Sequence, residues 1–270
     1  MGLMTVDRER LRSTFDMAAD VYQEARSEYP QQLYDVLIAA AELSEGDRLL
    51  EVGCATGKAT IPLARRGFHV TGIELGRALA HAGRRNLKEY PNVRIICSPF
   101  ETWLPPKPER FDMVFAATAW HWIDPAVRYR RAWEVLRPGG HLAFWGASQV
   151  FPDGGDPFFR EIQDVYEQIG EGLPADAPWP RPGLLMDQSK EIQASGLFEV
   201  TLVRHFDWEV SYDTDAYLRL LDTFSDHIAM DTDRREHLYA QIRRRLSARP
   251  DGRLRRQWGA VLHVARRKTG

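Results

Sequence analysis

The chain has 270 residues, 44% of them hydrophobic and 27% charged, which excludes a disordered, collagen-like or disulfide-stapled chain and leaves one large domain or two small ones. Its net charge is −2, from 36 Lys and Arg against 38 Asp and Glu, so no bulk charge draws it to nucleic acid or membrane. Two cysteines, Cys54 and Cys97, cannot hold a fold of this size together, and no metal-ligand spacing of Cys and His is present.

In chain order, Met1 to Phe15 is polar and mixed in charge, without the apolar stretch of a signal peptide. The longest uncharged apolar-leaning run is Met113 to Trp122, far short of the roughly 20 residues of a membrane span. A cytoplasmic protein with no membrane partner is expected. Leu33, Val36, Leu37 and Ala40 recur at helical spacing. Short β-rich runs follow at Arg48–Val52, His69–Ile73, Val93–Cys97, Phe111–Ala116 and His141–Gly146, separated by helical stretches. This is the rhythm of βαβ units in a parallel sheet covered on both faces. The runs are apolar with little alternation, as buried parallel strands are. Asp124-Pro125 predicts a helix start that carries Val127, Ala132, Trp133, Val135 and Leu136 inward, and Pro138-Gly139-Gly140 its stop.

After residue 150 the rhythm changes. One helix is predicted around Pro157–Ile169, a long strand over Phe198–Val210, helices over Thr214–Phe224 and Arg234–Leu246, and a last strand over Leu254–Arg267. Charge is uneven as well. Residues 151–233 carry 5 basic against 18 acidic side chains, and residues 234–270 carry 12 against 2. A basic end can contact RNA; the plainer expectation is that it lies near the acidic stretch or is simply solvated.

The first β-rich run leads into Gly53-Cys54-Ala55-Thr56-Gly57. A strand entering a glycine-containing turn that opens a helix is the nucleotide-binding geometry of open α/β sheets. Twenty-one residues after Gly53, at the end of the second run, stands Glu74, placed to accept the hydroxyl protons of a ribose. A pyrophosphate cradle reads G-x-G-x-x-G; the turn here reads G-x-A-x-G and suits a smaller zwitterionic group.

Taken in order, Glu51-x-Gly53-x-x-x-Gly57, Glu74, Pro99-Phe100-Glu101, Phe111-Asp112-Met113-Val114 and Leu136-Arg137-Pro138-Gly139-Gly140 resemble the class I S-adenosylmethionine (SAM) dependent methyltransferases over about residues 45–147. Tyr22-x-x-x-Arg26-x-x-Tyr29-Pro30 and Ala119-Trp120-His121-Trp122-Ile123-Asp124 resemble the small-molecule branch that includes trans-aconitate methyltransferase-like proteins. The resemblance implies a Rossmann-like α/β fold with a seven-stranded sheet, six strands parallel and one antiparallel. It divides the chain into an N-terminal helical lid (1–40), a SAM-binding core (41–150), a cap insertion (151–197) and the last two strands with a helical insertion (198–270).

The resemblance also implies roles. The loop of Glu51, Gly53, Ala55 and Gly57 would hold the methionine part of SAM, and Glu74 the ribose. Leu75, Ser98 and Phe100 would surround the adenine, and Ala116 and Ala117 would floor the site near the sulfonium. Tyr22 and Arg26 would fold over the site, Arg26 meeting the SAM carboxylate. Trp120, Trp122, Tyr22 and Phe15 are candidates for an aromatic wall, Trp122 being weighted toward the core. His121 is the candidate general base, and Cys54 a packing residue. Ala55 and Ser98 depart from the family's usual Gly and Asp. The expected reaction moves the SAM methyl group to a small-molecule oxygen acceptor, carboxylates among them, and releases S-adenosylhomocysteine (SAH). An RNA acceptor, a nicotinamide-dependent oxidoreductase and a nucleotide-binding protein without methyl transfer stand as alternatives.

Overall fold

The apolar runs of the first half pair side by side into a parallel sheet. In the computed structural model, which describes residues 19–105, 110–172 and 178–269, β1 (Arg48–Val52) lies between β2 (His69–Glu74) and β4 (Phe111–Ala117). β3 (Val93–Cys97) flanks β2, and β5 (Leu136–Trp145) flanks β4. These five are parallel. A two-residue β6 (Ser148–Gln149) follows β5, and β7 (Phe198–Asp213) and β8 (Arg253–Arg267) complete the sheet. β8 is antiparallel to β5 on one side and to β7 on the other. Six long strands therefore share one direction and β8 opposes them, as expected. The addition is β6, which resumes the β5 side of β8 where Ser148 pairs with Gly259.

Alternate residues of each strand face opposite sides of the sheet, and two cores result. Leu49, Met113 and Ala143 pack on one face with Leu33, Tyr34 and Leu37 of a helix at Gln31–Ala40 (α2, following α1 at Ala19–Ala25). Leu50, Val114 and Leu142 pack on the other with Ala132 and Val135. Burying Leu33, Tyr34 and Leu37 stabilises that face by about 1.5–3 kcal/mol per side chain. Residues 31–40 therefore belong to the covering layer, and among the described residues of segment 1–40 only α1 and its following turn face the site.

Two sequence expectations shift. Asp124 opens a turn, its Oδ1 accepting from the Ala126 N–H, and the helix begins later, as α5 at Arg128–Val135, after α3 (Thr60–Ala64) and α4 (Arg77–Asn86). Pro138-Gly139-Gly140 lies inside β5, because Leu136 already pairs with Phe111 before the register shifts. Beyond β6, short helices α6 (Phe158–Glu161) and α7 (Gln163–Gln168) replace the single one predicted. α8 (Ser189–Ala194) precedes β7. Between β7 and β8 come α9 (Thr214–Leu221), α10 (Ser225–Ala229) and α11 (Thr232–Ser247). Their apolar faces enclose a third core with Phe158, Leu238, Ile242 and Trp258, which forms the cap.

The basic end lies beside the acidic stretch. Arg245 pairs with Asp164 at 2.7 Å, Arg249 with Asp156 at 2.9 Å and Arg266 with Glu199 at 3.1 Å. No described helix is long and apolar enough to cross a membrane.

Candidate active site

The strand order reverses between β1 and β4, and the loops leaving their carboxyl ends diverge there, opening the crevice in which such sheets bind ligands. Gly53 has φ +72°, and a Cβ at this position would lie 2.5 Å from the Ala119 Cβ. Glycine is thus demanded by both dihedral and space. The turn is tied to β2, since Gly53 and Cys54 donate to the Ile73 carbonyl at 2.8 and 3.2 Å. Ala55 is left-handed as well (φ +47°), and its N–H donates to Glu74 Oε2 at 2.9 Å. The other Glu74 oxygen accepts from the Gly76 N–H at 2.8 Å. Turn and carboxylate are therefore one unit.

This unit opens on a cavity of about 470 Å³, inside the roughly 300–1,000 Å³ range of small-ligand pockets. Gly53, Ala55, Glu74 and Leu75 line it, followed by Ser98, Phe100 and Ala117. Tyr22 and Arg26 reach it from α1 and the turn after it. His121 lines it too. Four expected residues do not. Glu51 is 1% exposed behind the turn, where it accepts from Thr60 Oγ1 at 2.5 Å. Gly57 faces Leu87, Ala116 is fully buried, and Trp120 is a core residue. The tryptophans exchange expectations: Trp120 stacks on Phe144 at 5.4 Å, whereas Trp122 lines the cavity. In the single turn Trp120–Trp122, residues two apart point to opposite sides, and their identical chemistry hides which is which. Phe15 lies outside the described residues. Cys54 is buried, which pushes its thiol up, and packs with Ala80, Leu87 and Ile95.

Sequence reasoning points to Phe224 as a residue of an apolar pocket, and it lines the cavity; it missed Thr118, Ser225 and Asp226. Thr118 follows β4 at φ +55°, a sparsely populated conformation for a β-branched residue. It is held by Tyr29, whose hydroxyl is 2.5 Å from Thr118 Oγ1, and by the Ala147 N–H at 3.1 Å. Its φ has no sequence signal. Phe224–Asp226 reaches the cavity only through the packing of the cap.

Against known families, residues 50–144 match a methyltransferase domain. An uncharacterised methyltransferase of Mycobacterium tuberculosis is 29% identical over 180 residues, 66% of this chain and 69% of that protein. The trans-aconitate 2-methyltransferase of Variovorax paradoxus is 29% identical over 60% of this chain and 56% of its own length. A solved structure from Anaeromyxobacter dehalogenans, described as a type II methyltransferase, is 25% identical with a TM-score of 0.61, covering 89% of this chain and 97% of that one. Residues 50–144 form a methyltransferase domain of the class I SAM-dependent type. Its methyl donor is SAM, and the cavity of this methyltransferase fits that molecule on its own terms. Arg26 lines it with a buried Nε–H that has no partner among the described residues, a donor that a carboxylate would satisfy. Glu74 presents a carboxylate at the opposite element.

The electrostatics of the methyltransferase site give two pH predictions. The surrounding walls, then the Arg128 charge, push His121 down to about 4 from 6.5. Its imidazole is therefore neutral at pH 7. Between pH 4 and 6.5 the unfolded chain takes up a proton that the folded protein refuses, so stability falls as pH drops through that window. His121→Gln is expected to flatten the low-pH side of the thermal-midpoint curve. Glu51 behaves oppositely. Burial, opposed by the Thr60 hydroxyl and assisted by the Glu74 charge, pushes it up to about 8 from 4.5. The folded state then holds a proton that the unfolded state has lost, so stability falls as pH rises from 4.5 to 8. Glu51→Gln is expected to raise the thermal midpoint at pH 8 more than at pH 5. Equal shifts at both values would contradict a protonated Glu51.

Proposed function

We propose that this methyltransferase moves the SAM methyl group to an oxygen nucleophile, a carboxylate or a hydroxyl, on a small molecule held under the cap. The observation that carries this reading is the convergence of the Gly53 turn, Arg26, Glu74 and the Phe224–Asp226 wall on one cavity. In this reading the backbone from Gly53 to Ala55 and the Arg26 guanidinium hold the methionine part. Glu74 accepts from the ribose, while Leu75, Ser98 and Phe100 bound the adenine. Ala117 lies under the sulfur, with Tyr22 and Trp122 as walls. The donor supplies an already activated methyl group, so the protein's part is alignment and exclusion of water. Apolar walls favour a step in which the sulfonium charge disappears, and aromatic faces hold that charge until then. The neutral His121 offers an acceptor lone pair on the same wall.

The likeness to a trans-aconitate methyltransferase supports a small-molecule acceptor. The experiment is incubation with methyl-labelled SAM and, separately, the small-molecule and RNA fractions of a cell extract. Label is expected in small organic molecules. Label confined to RNA would overturn the proposal in favour of a nucleic-acid acceptor.

A further inference from the structure

The acidic and basic side chains that line the cavity among the described residues are Arg26, Glu74, His121 and Asp226, His121 being neutral. Arg26 and Glu74 belong to the donor's side in the reading above. Asp226 does not. It stands in α10, in the insertion between β7 and β8, beside Phe224, whose ring lies under the Arg26 guanidinium at 4.4 Å. Ala147 and Ser148, past the end of β5, line the cavity as well. In the reading above this is the acceptor's end of the cavity, and it falls outside the matched methyltransferase domain of residues 50–144.

Asp226 is 74% exposed in its side chain, as a group on the wall of an open cavity is. It is also held in place. Its Oδ1 accepts from its neighbour's backbone, the His227 N–H at 3.0 Å, and lies 3.2 Å from His227 Nδ1. The His227 ring is buried, and its Nε2 is 3.0 Å from the Tyr166 hydroxyl. A carboxylate–imidazole–phenol chain therefore runs from the cavity wall into the cap core. The backbone contact is local to the first turn of α10; it leaves the imidazole and the phenol behind it unexplained. Oδ2 makes no hydrogen bond to a described residue. The neighbouring protein surface pushes the Asp226 carboxyl up, and the His227 hydrogen bonds outweigh this, so it stays below the usual carboxylate range, ionised at pH 7.

We propose that Asp226 selects the methyl acceptor by taking a hydrogen bond from an O–H or N–H group that the acceptor carries. His227 and Tyr166 act as positioning residues behind it. This rests on the methyltransferase reading of the cavity and narrows it: a free carboxylate set against this wall meets a like charge. Apolar neighbours, Phe224 and Trp122, give the rest of the acceptor an aromatic or aliphatic body.

The test uses the full chain loaded with SAH and three probes that share one ring: benzyl alcohol, benzylamine and benzoate. Binding is read by calorimetry. The two donor probes are expected to bind about tenfold tighter than benzoate, the scale of a hydrogen bond to a charged group, and their ranking tells a hydroxyl from an ammonium. Asp226→Asn is expected to remove that discrimination while SAH affinity stays within about twofold. Benzoate binding as tightly as the donors, no binding of either donor, or discrimination that survives Asp226→Asn would each overturn the proposal. A failure of the underlying reading is separately visible as a lack of SAH binding in the first titration.

Discussion

Glu74→Ala weakens SAH binding by about a hundredfold, roughly 2.7 kcal/mol, measured by isothermal titration. The carboxylate is 7% exposed and does three things at once. It accepts from Ala55 N–H, so it holds the left-handed turn; it accepts from Gly76 N–H, so it holds the entry to α4; and it lines the cavity where the ribose is proposed to sit. Truncation leaves two backbone donors without their acceptor, each costing about 1–3 kcal/mol if buried, and removes the ribose contact besides. Glu74→Gln separates the effects, because an amide oxygen still accepts from one donor; its loss is expected to be about tenfold. Unchanged affinity in Glu74→Ala would remove the ribose assignment.

The second large effect is on the fold. Trp120→Ala destabilises by about 3–5 kcal/mol, the range for deleting a large buried aromatic. Trp120 is 3% exposed and stacked on Phe144, with Tyr129 edge-on at 5.4 Å and the Arg128 guanidinium over its ring at 5.6 Å. Its carbonyl also accepts from Arg128 Nη1 at 2.8 Å. The ring therefore supports the turn that presents His121 and Trp122. At about 2–4 °C per kcal/mol for a chain this size, the thermal midpoint should fall by roughly 10 °C. Trp122→Ala should move it by only a few degrees, since Trp122 is half-buried on the cavity wall. Equal losses in the two variants would contradict the exchange of roles between them.

What was legible follows from where the physics is local. β1 and β3 were bounded correctly from their apolar runs, because buried parallel strands leave a continuous pattern. Gly53 and Glu74 were legible because the turn and the strand end lie within one βαβ unit. The start of α5 was not: Asp124 and Pro125 form a good cap sequence, yet they close a turn that Arg128 then extends into a helix. The break at Ile162 between α6 and α7 has no proline or glycine to announce it. Thr118 and Asp226 were beyond reach for a different reason. Thr118 takes its conformation from Tyr29, 89 residues away, and Asp226 meets the cavity only after the cap packs on β8. Segments that recognise a shared cofactor thus carry a local signature, and segments that meet the acceptor depend on tertiary placement.

A crystal structure of the full chain with SAH decides where the donor lies. The ribose hydroxyls are expected within hydrogen-bond distance of Glu74, the homocysteine carboxylate on Arg26, and the sulfur facing the space between Trp122 and Asp226. An adenosine bound elsewhere, or Glu74 turned away from the nucleoside with the Gly53 turn packed shut, would contradict this placement.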